Sequence, residues 1–162
     1  FLEHDIETWY KYVDQNLLST IRLTKLFSTY MIEKKWGRII NITSTIAIEP
    51  TSAMVISASL RSAVAAFSKS VSLTLAQTGL TINTISPGGV ATDRLLNLIQ
   101  KKANRENISE KEALTNAQQS IPMGRFAKSE ELGSLAVYLC SPHADYLTGR
   151  VYTFDGGLVK GF

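Results

Sequence analysis

Two short, largely apolar segments that each end in a polar loop constrain the fold most strongly. The first covers residues 38–42 and leads into Ser44, and the second covers residues 80–86 and leads into the Pro87-Gly88-Gly89 turn. Short apolar runs of this kind suit strands that are buried on both faces, as in parallel sheets. Ligands of open parallel sheets bind beyond the carboxyl ends of the strands. We therefore expect an α/β fold whose functional residues gather in these two loops.

Helical periodicity flanks and separates the two segments. Over residues 5–35 the apolar side chains recur at three- and four-residue spacing, which predicts one long helix capped by Asp5. The same spacing predicts a second long helix over residues 55–78 and a shorter helix over residues 129–140 that begins at Ser129. Gly37 is expected to end the first helix as its C-cap.

A last strand is predicted over residues 151–154. The alternation of strands and helices favours three parallel strands with right-handed crossovers, with the two long helices on one face and the helix over 129–140 on the other. Residues 93–102 and 109–119 are predicted to form two polar helical segments. They are either a mobile lid over a substrate site or a solvated hairpin without a gating role.

Composition excludes several classes of protein. The chain has 162 residues, 44% of them hydrophobic, and a net charge of +3, which suits one globular domain. No basic run interleaved with aromatic residues supports nucleic-acid binding, and no apolar run or leader pattern indicates a membrane segment, so we expect a cytoplasmic protein. We expect no metal site. The single cysteine, Cys140, excludes an internal disulfide and is predicted to be a small buried residue.

Several motifs in the expected order resemble the short-chain dehydrogenase/reductase family, and especially its 3-oxoacyl-acyl-carrier-protein reductase branch. The resemblance implies a Rossmann-like doubly wound parallel sheet, NAD or NADP as cofactor of the complete protein, and a small carbonyl compound or acyl thioester as substrate. It also implies a homodimer or homotetramer assembled through the two long helices. The motifs cover residues 9–16, 37–44, 87–92, 122–125, 148–149 and 155–157.

The glycine-rich turn that holds the cofactor pyrophosphate in this family has no counterpart among residues 1–162. Since a βαβ unit takes about 30 residues, the resemblance implies that this chain is the C-terminal portion of one domain and that roughly 80–100 residues precede it. For the same reason we expect this portion alone to bind no cofactor.

Family enzymes stabilise the carbonyl oxygen with a serine, protonate it with a tyrosine thirteen residues later, and use a lysine four residues further on. By this spacing Ser44 matches the serine, but Ser57 stands at the tyrosine position and Arg61 at the lysine position. Without the resemblance, Ser44 would be interpreted as an ordinary turn residue, because serine commonly follows the end of a strand. A phenol titrates near pH 10, whereas an aliphatic hydroxyl is a far weaker and shorter acid, so Ser57 could act only through a water.

The resemblance assigns roles to several further residues. Arg61 keeps a positive charge that can bind the nicotinamide ribose, and the backbone of Pro87, Gly88 and Val90 together with the Thr92 hydroxyl would hold the nicotinamide amide. Asn16, on the apolar stripe of the first helix, is either a core asparagine bonded to nearby backbone or a member of a proton relay to the active site.

Two functional hypotheses follow. The first is an NAD(P)-dependent oxidoreductase that interconverts a carbonyl and an alcohol with atypical catalytic residues. The second is a catalytically silent relative that binds a nucleotide or acyl ligand, or that serves as a subunit of an assembly. Loss of the acid would lower the rate by about 10²–10⁴-fold.

Overall fold

Three parallel strands form the centre of the computed structural model, which describes residues 2–161. They are β1 (Gly37–Ile42), β2 (Leu80–Pro87) and β3 (Val151–Phe154), in the order β1-β2-β3. Both strand pairs are parallel. The predicted strand positions, their parallel pairing and the α/β class are therefore confirmed.

Six α-helices surround the sheet within the described residues. Short 3₁₀ turns at Thr45–Ala47, Ser52–Met54, Ala76–Thr78 and Pro142–Ala144 join some of these elements. The helices are α1 (Ile6–Tyr12), α2 (Ser19–Glu33), α3 (Val55–Leu75), α4 (Asp93–Glu106), α5 (Glu110–Gln119) and α6 (Ser129–Cys140).

The predicted first helix is wrong in one respect, because it is not uniform. Asp5 caps α1 as expected, its carboxylate accepting a hydrogen bond from the Thr8 amide at 2.8 Å. Between α1 and α2, however, the segment Val13–Leu18 is a π-helix, and Asn16 lies within it. A π-helical turn rotates the residues after it, so a single helical stripe drawn across 5–35 cannot stay on one face. The buried residues of α2 are Thr24 and Ser28.

The two faces of the sheet carry different helices. On one face, α2 packs against β1, and Asn41 of β1 donates a hydrogen bond to Ser68 of α3 at 2.8 Å. On the other face, Ile85 of β2 and Leu139 of α6 form a core cluster to which Ile40 of β1 also packs. Alternate residues of a strand point to opposite faces, which explains why Ile40 and Asn41 contact different helices.

Three local expectations are wrong. Cys140 is exposed rather than buried, because the side chain that α6 buries at this end is its neighbour Leu139. Gly37 begins β1 instead of capping a helix, and a Cβ there would lie 2.5 Å from the Met31 sulfur. Ser129 is the first residue of α6, whose amino end is instead closed by the Glu131 carboxylate accepting from the Lys128 amide at 2.7 Å.

The two polar helical segments are present as α4 and α5. They share a small core of Ile99, Ala103 and Ala113, against which Phe126 also packs. Their helical structure is thus confirmed, whereas their gating role stays a prediction. Among the described residues, no helix combines the length and the apolar character that a membrane span requires.

Candidate functional site

Arg61 connects helix α3 to the carboxyl end of β1. Its Nη1 donates to the carbonyl oxygen of Thr43 at 2.7 Å, and its Nε donates to the Ser57 hydroxyl at 3.2 Å. Ser57 and Arg61 share one helical face because they are four residues apart. The structure therefore brings both residues to the strand end that Ser44 follows.

Thr43 joins the ends of β1 and β2. Its amide donates to the Ile85 carbonyl at 2.8 Å, and its hydroxyl lies 2.7 Å from that of Ser86. Thr43 and Ser86 are both buried, and buried hydroxyls that satisfy each other hold a backbone rigidly. The carbonyl that receives Arg61 is consequently fixed relative to both strands.

Ser44 itself begins the 3₁₀ turn Thr45–Ala47. Its hydroxyl oxygen accepts from the Ile46 amide at 3.5 Å, a long hydrogen bond. Because the oxygen is the acceptor here, the hydroxyl proton of Ser44 is free to donate. Ser62 of α3 anchors the same turn by donating to the Ala47 carbonyl at 2.8 Å.

Asn16 and Arg61 line one small cavity of about 120 Å³ beside β1. The side-chain amide nitrogen of Asn16 donates to the Tyr12 carbonyl at 3.0 Å, and the backbone carbonyl of Asn16 accepts from the Thr20 hydroxyl at 2.9 Å. The side chain is thus bonded to nearby backbone, as one of the two alternatives predicts, but its amide oxygen accepts no hydrogen bond from residues 2–161. Its π-helical setting, which is frequent at functional sites, and its place beside Arg61 leave the relay role a prediction.

The loop that follows β2 presents unused backbone groups at Val90. A parallel bridge joins Val90 to Ala127, and its hydrogen bonds run from the Ala127 amide to the Gly89 carbonyl and from the Ala91 amide to the Ala127 carbonyl. Neither bond uses the amide or carbonyl of Val90, which have no backbone partner between residues 2 and 161. Thr92 caps α4 by accepting from the Leu95 amide at 3.4 Å, so its hydroxyl proton is also free.

The glycines of this loop have a packing role that the sequence did not reveal. A Cβ at Gly89 would lie 2.5 Å from the Phe126 ring, and a Cβ at Gly88 would lie 3.0 Å from Cβ of Asp155. A Cβ at Gly89 would therefore require the Phe126 ring to move, and a Cβ at Gly88 would be tightly packed against Asp155. Half-buried Pro87, which ends β2, lies beside them.

Arg61 is electrostatically unusual. Partial burial lowers the pKa of its guanidinium, and the nearby positive charge of Arg94 lowers that pKa further.

Arg94, in the first turn of α4, was missed by the sequence reasoning. A single arginine in a polar helix carries no signal of a site until the fold places it near another cation. Thr43 was missed because its contribution is a backbone carbonyl, which any residue type supplies.

A larger cavity lies elsewhere. It has a volume of about 530 Å³ at the β3 side of the sheet, and its lining contains Arg125 and Glu131 but none of the predicted site residues. Arg125 binds both carboxylate oxygens of Glu131, at 2.7 and 2.8 Å, which lowers the pKa of Glu131 to about 2. These two charges therefore satisfy each other. In the described part of the chain, no group of three histidine, cysteine or acidic side chains could hold a metal.

Similar proteins are known. The family model described as enoyl-(acyl carrier protein) reductase matches residues 1–159. The NADPH-dependent reductase BacG of Bacillus subtilis is 34% identical over 146 residues, which are 90% of this chain and 56% of that protein. A 3-oxoacyl-[acyl-carrier-protein] reductase of Synechocystis is 34% identical over 159 residues, 98% of this chain and 59% of that protein.

A solved structure shows the same architecture. L-sorbose reductase from Gluconobacter frateurii, in complex with NADPH and L-sorbose, superimposes with a TM-score of 0.94 at 27% identity, covering 100% of this chain and 62% of that one. The chain therefore spans less than two thirds of the length of each of these relatives.

Proposed function

This chain belongs to the short-chain dehydrogenase/reductase family, and we propose that the complete protein is an NAD(P)-dependent oxidoreductase. Its reaction would interconvert a carbonyl compound and an alcohol, as in 3-oxoacyl-acyl-carrier-protein reductases. The observation that carries this proposal is the contact of Arg61 with both Ser57 and the Thr43 carbonyl. This contact supports the match of Ser44, Ser57 and Arg61 to the spacing of the family's catalytic residues, because it brings residues 57 and 61 to the end of the strand that leads into Ser44.

The residues present suit the nicotinamide end of such a cofactor. When bound, the nicotinamide would supply or accept the hydride. The free amide and carbonyl of Val90 and the Thr92 hydroxyl match the donors and acceptors of a carboxamide. Nη2 of Arg61 donates no hydrogen bond to any residue in the 2–161 range and is available to a ribose hydroxyl.

Ser44 would stabilise the reacting carbonyl oxygen. Its free hydroxyl proton can donate to the negative charge that develops on that oxygen during reduction. The guanidinium of Arg61, bound to the Thr43 carbonyl next to Ser44, would add a fixed positive charge nearby. These interactions strengthen as the charge develops, so they would stabilise the transition state more than the substrate.

Proton delivery is the weak step of this mechanism. The Ser57 oxygen accepts from Arg61, which leaves the Ser57 proton free, but an aliphatic hydroxyl is a poor acid. We expect Ser57 to hold a water that carries the proton, and Asn16, which lines a cavity together with Arg61, to be a second anchor for such a water. The rate would then be lower than with a tyrosine by up to about 10²–10⁴-fold.

A second candidate function is a catalytically silent member that binds a nucleotide or acyl ligand. The observation favouring it is that Nε of Arg61 donates to the Ser57 hydroxyl, an interaction that can be purely structural. Turnover of a panel of ketones and alcohols by the complete protein, including any segment that precedes residue 1, separates the two candidates. An oxidoreductase should lose most of its turnover in Ser44→Ala but not in Ser59→Ala, a matched change at an exposed position of α3.

A further inference from the structure

Two neighbouring residues of α3 hold the backbone on either side of Ser44. Nη1 of Arg61 donates to the Thr43 carbonyl at 2.7 Å, directly before Ser44. The hydroxyl of Ser62 donates to the Ala47 carbonyl at 2.8 Å, at the end of the turn that Ser44 begins. Among the residues that the structure describes, these are the two hydrogen bonds that side chains of α3 donate to this stretch of backbone. The backbone of Ser44 is therefore bracketed by contacts with one helix.

The turn that Ser44 begins is too short to fix its own position. It is a single 3₁₀ turn, Thr45–Ala47, and hydrogen bonds in 3₁₀ turns have poorer geometry than those in α-helices. The Ser44 hydroxyl contributes only a long hydrogen bond, of 3.5 Å, from the Ile46 amide. Carbonyl groups at the end of a helical turn lack a partner within it. The Ala47 carbonyl finds that partner in Ser62, so the position of the turn depends on this contact.

The Ser62 hydroxyl also lies 2.9 Å from the Ala58 carbonyl of its own helix. Serine hydroxyls commonly bond to the carbonyl four residues earlier in a helix, so this second contact alone would be unremarkable. It restricts the hydroxyl, however, because both carbonyls lie within hydrogen-bonding distance of the same oxygen. Ser62 is half-buried, which strengthens hydrogen bonds relative to those in bulk water. Alanine at position 62 would keep the helix and lose the contact with the turn.

We propose that Ser62 is a positioning residue for the reaction at Ser44. Together with the Arg61 contact, its bond to the turn fixes Ser44 relative to the α3 face that carries Ser57 and Arg61. This rests on the proposed function, in which the Ser44 hydroxyl stabilises the charge on the reacting oxygen. Such stabilisation requires a donor at a defined position, since a misplacement of about 1 Å can cost about 10²-fold in rate. Ser62 acts in this role through Ser44 and touches neither substrate nor cofactor.

The test is a double-mutant cycle on the complete protein, with a substrate that the panel of ketones and alcohols identifies. Ser62→Ala should lower kcat by about tenfold and leave KM within about twofold, because the placement of the donor changes and the substrate contacts do not. In a Ser44→Ala background the same change should lower kcat by less than about twofold, because the residue through which Ser62 acts is already lost. Ser72→Ala is the matched control. It removes a comparable hydrogen bond of the same helix, from the Ser72 hydroxyl to the Lys69 carbonyl at 2.7 Å, and should leave kcat unchanged.

Hydrogen exchange provides a readout that needs no turnover. In a peptide covering residues 44–49, Ser62→Ala should accelerate exchange about fivefold, because the turn loses its anchor, whereas Ser72→Ala should not. Unchanged exchange of this peptide in Ser62→Ala, or equal acceleration in Ser72→Ala, refutes the inference. A kcat loss of the same size with and without the Ser44 hydroxyl also refutes it, as does a loss confined to KM. Faster exchange in a protein that reduces no ketone and oxidises no alcohol would support the anchoring of the turn by Ser62 and refute the oxidoreductase proposal.

Discussion

Replacing Ser57 by tyrosine and Arg61 by lysine should raise ketone reduction by the complete protein. A phenol titrates near pH 10 and an ammonium beside it favours the phenolate, so the pair forms an acid that a serine cannot supply. General acid catalysis contributes about 10²–10⁴-fold, which sets the largest gain. Either change alone should do less, because the phenol and the ammonium act as a unit.

The structure also sets the cost of this change. Arg61→Lys removes the forked contact with the Thr43 carbonyl and the Ser57 hydroxyl, and each lost hydrogen bond costs roughly 1 kcal/mol of stability. Ser57 is half-buried rather than buried, so a larger side chain at this position need not be enclosed by the core. The double variant should therefore fold, with a stability loss of about 1–2 kcal/mol.

The assay is turnover of a 3-oxoacyl thioester, with stability measured in parallel by denaturant unfolding. Ser59→Tyr combined with Arg61→Lys is the matched control, since residue 59 is exposed on the same helix. Two results would refute the reasoning: rapid turnover by the unmodified protein, or an equal gain in the control and the double variant.

Three further predictions test the fold and its assembly. Asn83→Ala should lower the free energy of unfolding by about 2–4 kcal/mol, because this buried amide makes two hydrogen bonds, of 2.7 and 3.1 Å, to the backbone that precedes β3; denaturant titration checks this. Glu131 has a lowered pKa because Arg125 binds its carboxylate. The ion pair therefore stabilises the folded protein above the ordinary carboxyl pKa, and this stabilisation is lost as the pH falls toward about 2. The melting temperature of Glu131→Gln should be lower than that of the unmodified protein at neutral pH, and the two melting temperatures should converge in acid. The complete protein should self-associate through α2 and α3, and Leu26→Glu, at a position that is 66% exposed, should weaken this in light scattering, while Leu98→Glu on α4 should not.

Much of the fold could be predicted from the sequence because its signals are local. The runs ending near Ser44 and Pro87 are short, apolar and bounded by turn residues, a pattern typical of strands. Both runs are strands, although β2 is buried along almost all of its length whereas β1 is mostly half-buried. The helical spacing of apolar residues predicted the extent of α3 to within a few residues. Gly79, with a φ of 85°, ends that helical region, as expected for a glycine that follows a helix. The spacing of Ser44, Ser57 and Arg61 is likewise a property of the chain alone.

The tertiary structure decided what depends on neighbours distant in sequence. The π-helical turn at Asn16 packs against α3, and Cys140 is exposed because α6 buries its neighbour Leu139; no periodicity records either arrangement. Gly89 is required by Phe126, and Arg61 is oriented by a backbone carbonyl, so neither interaction has a sequence signature. The sequence determines which chemical groups the chain carries, but the long-range pairing of the strands determines which of these groups come into contact.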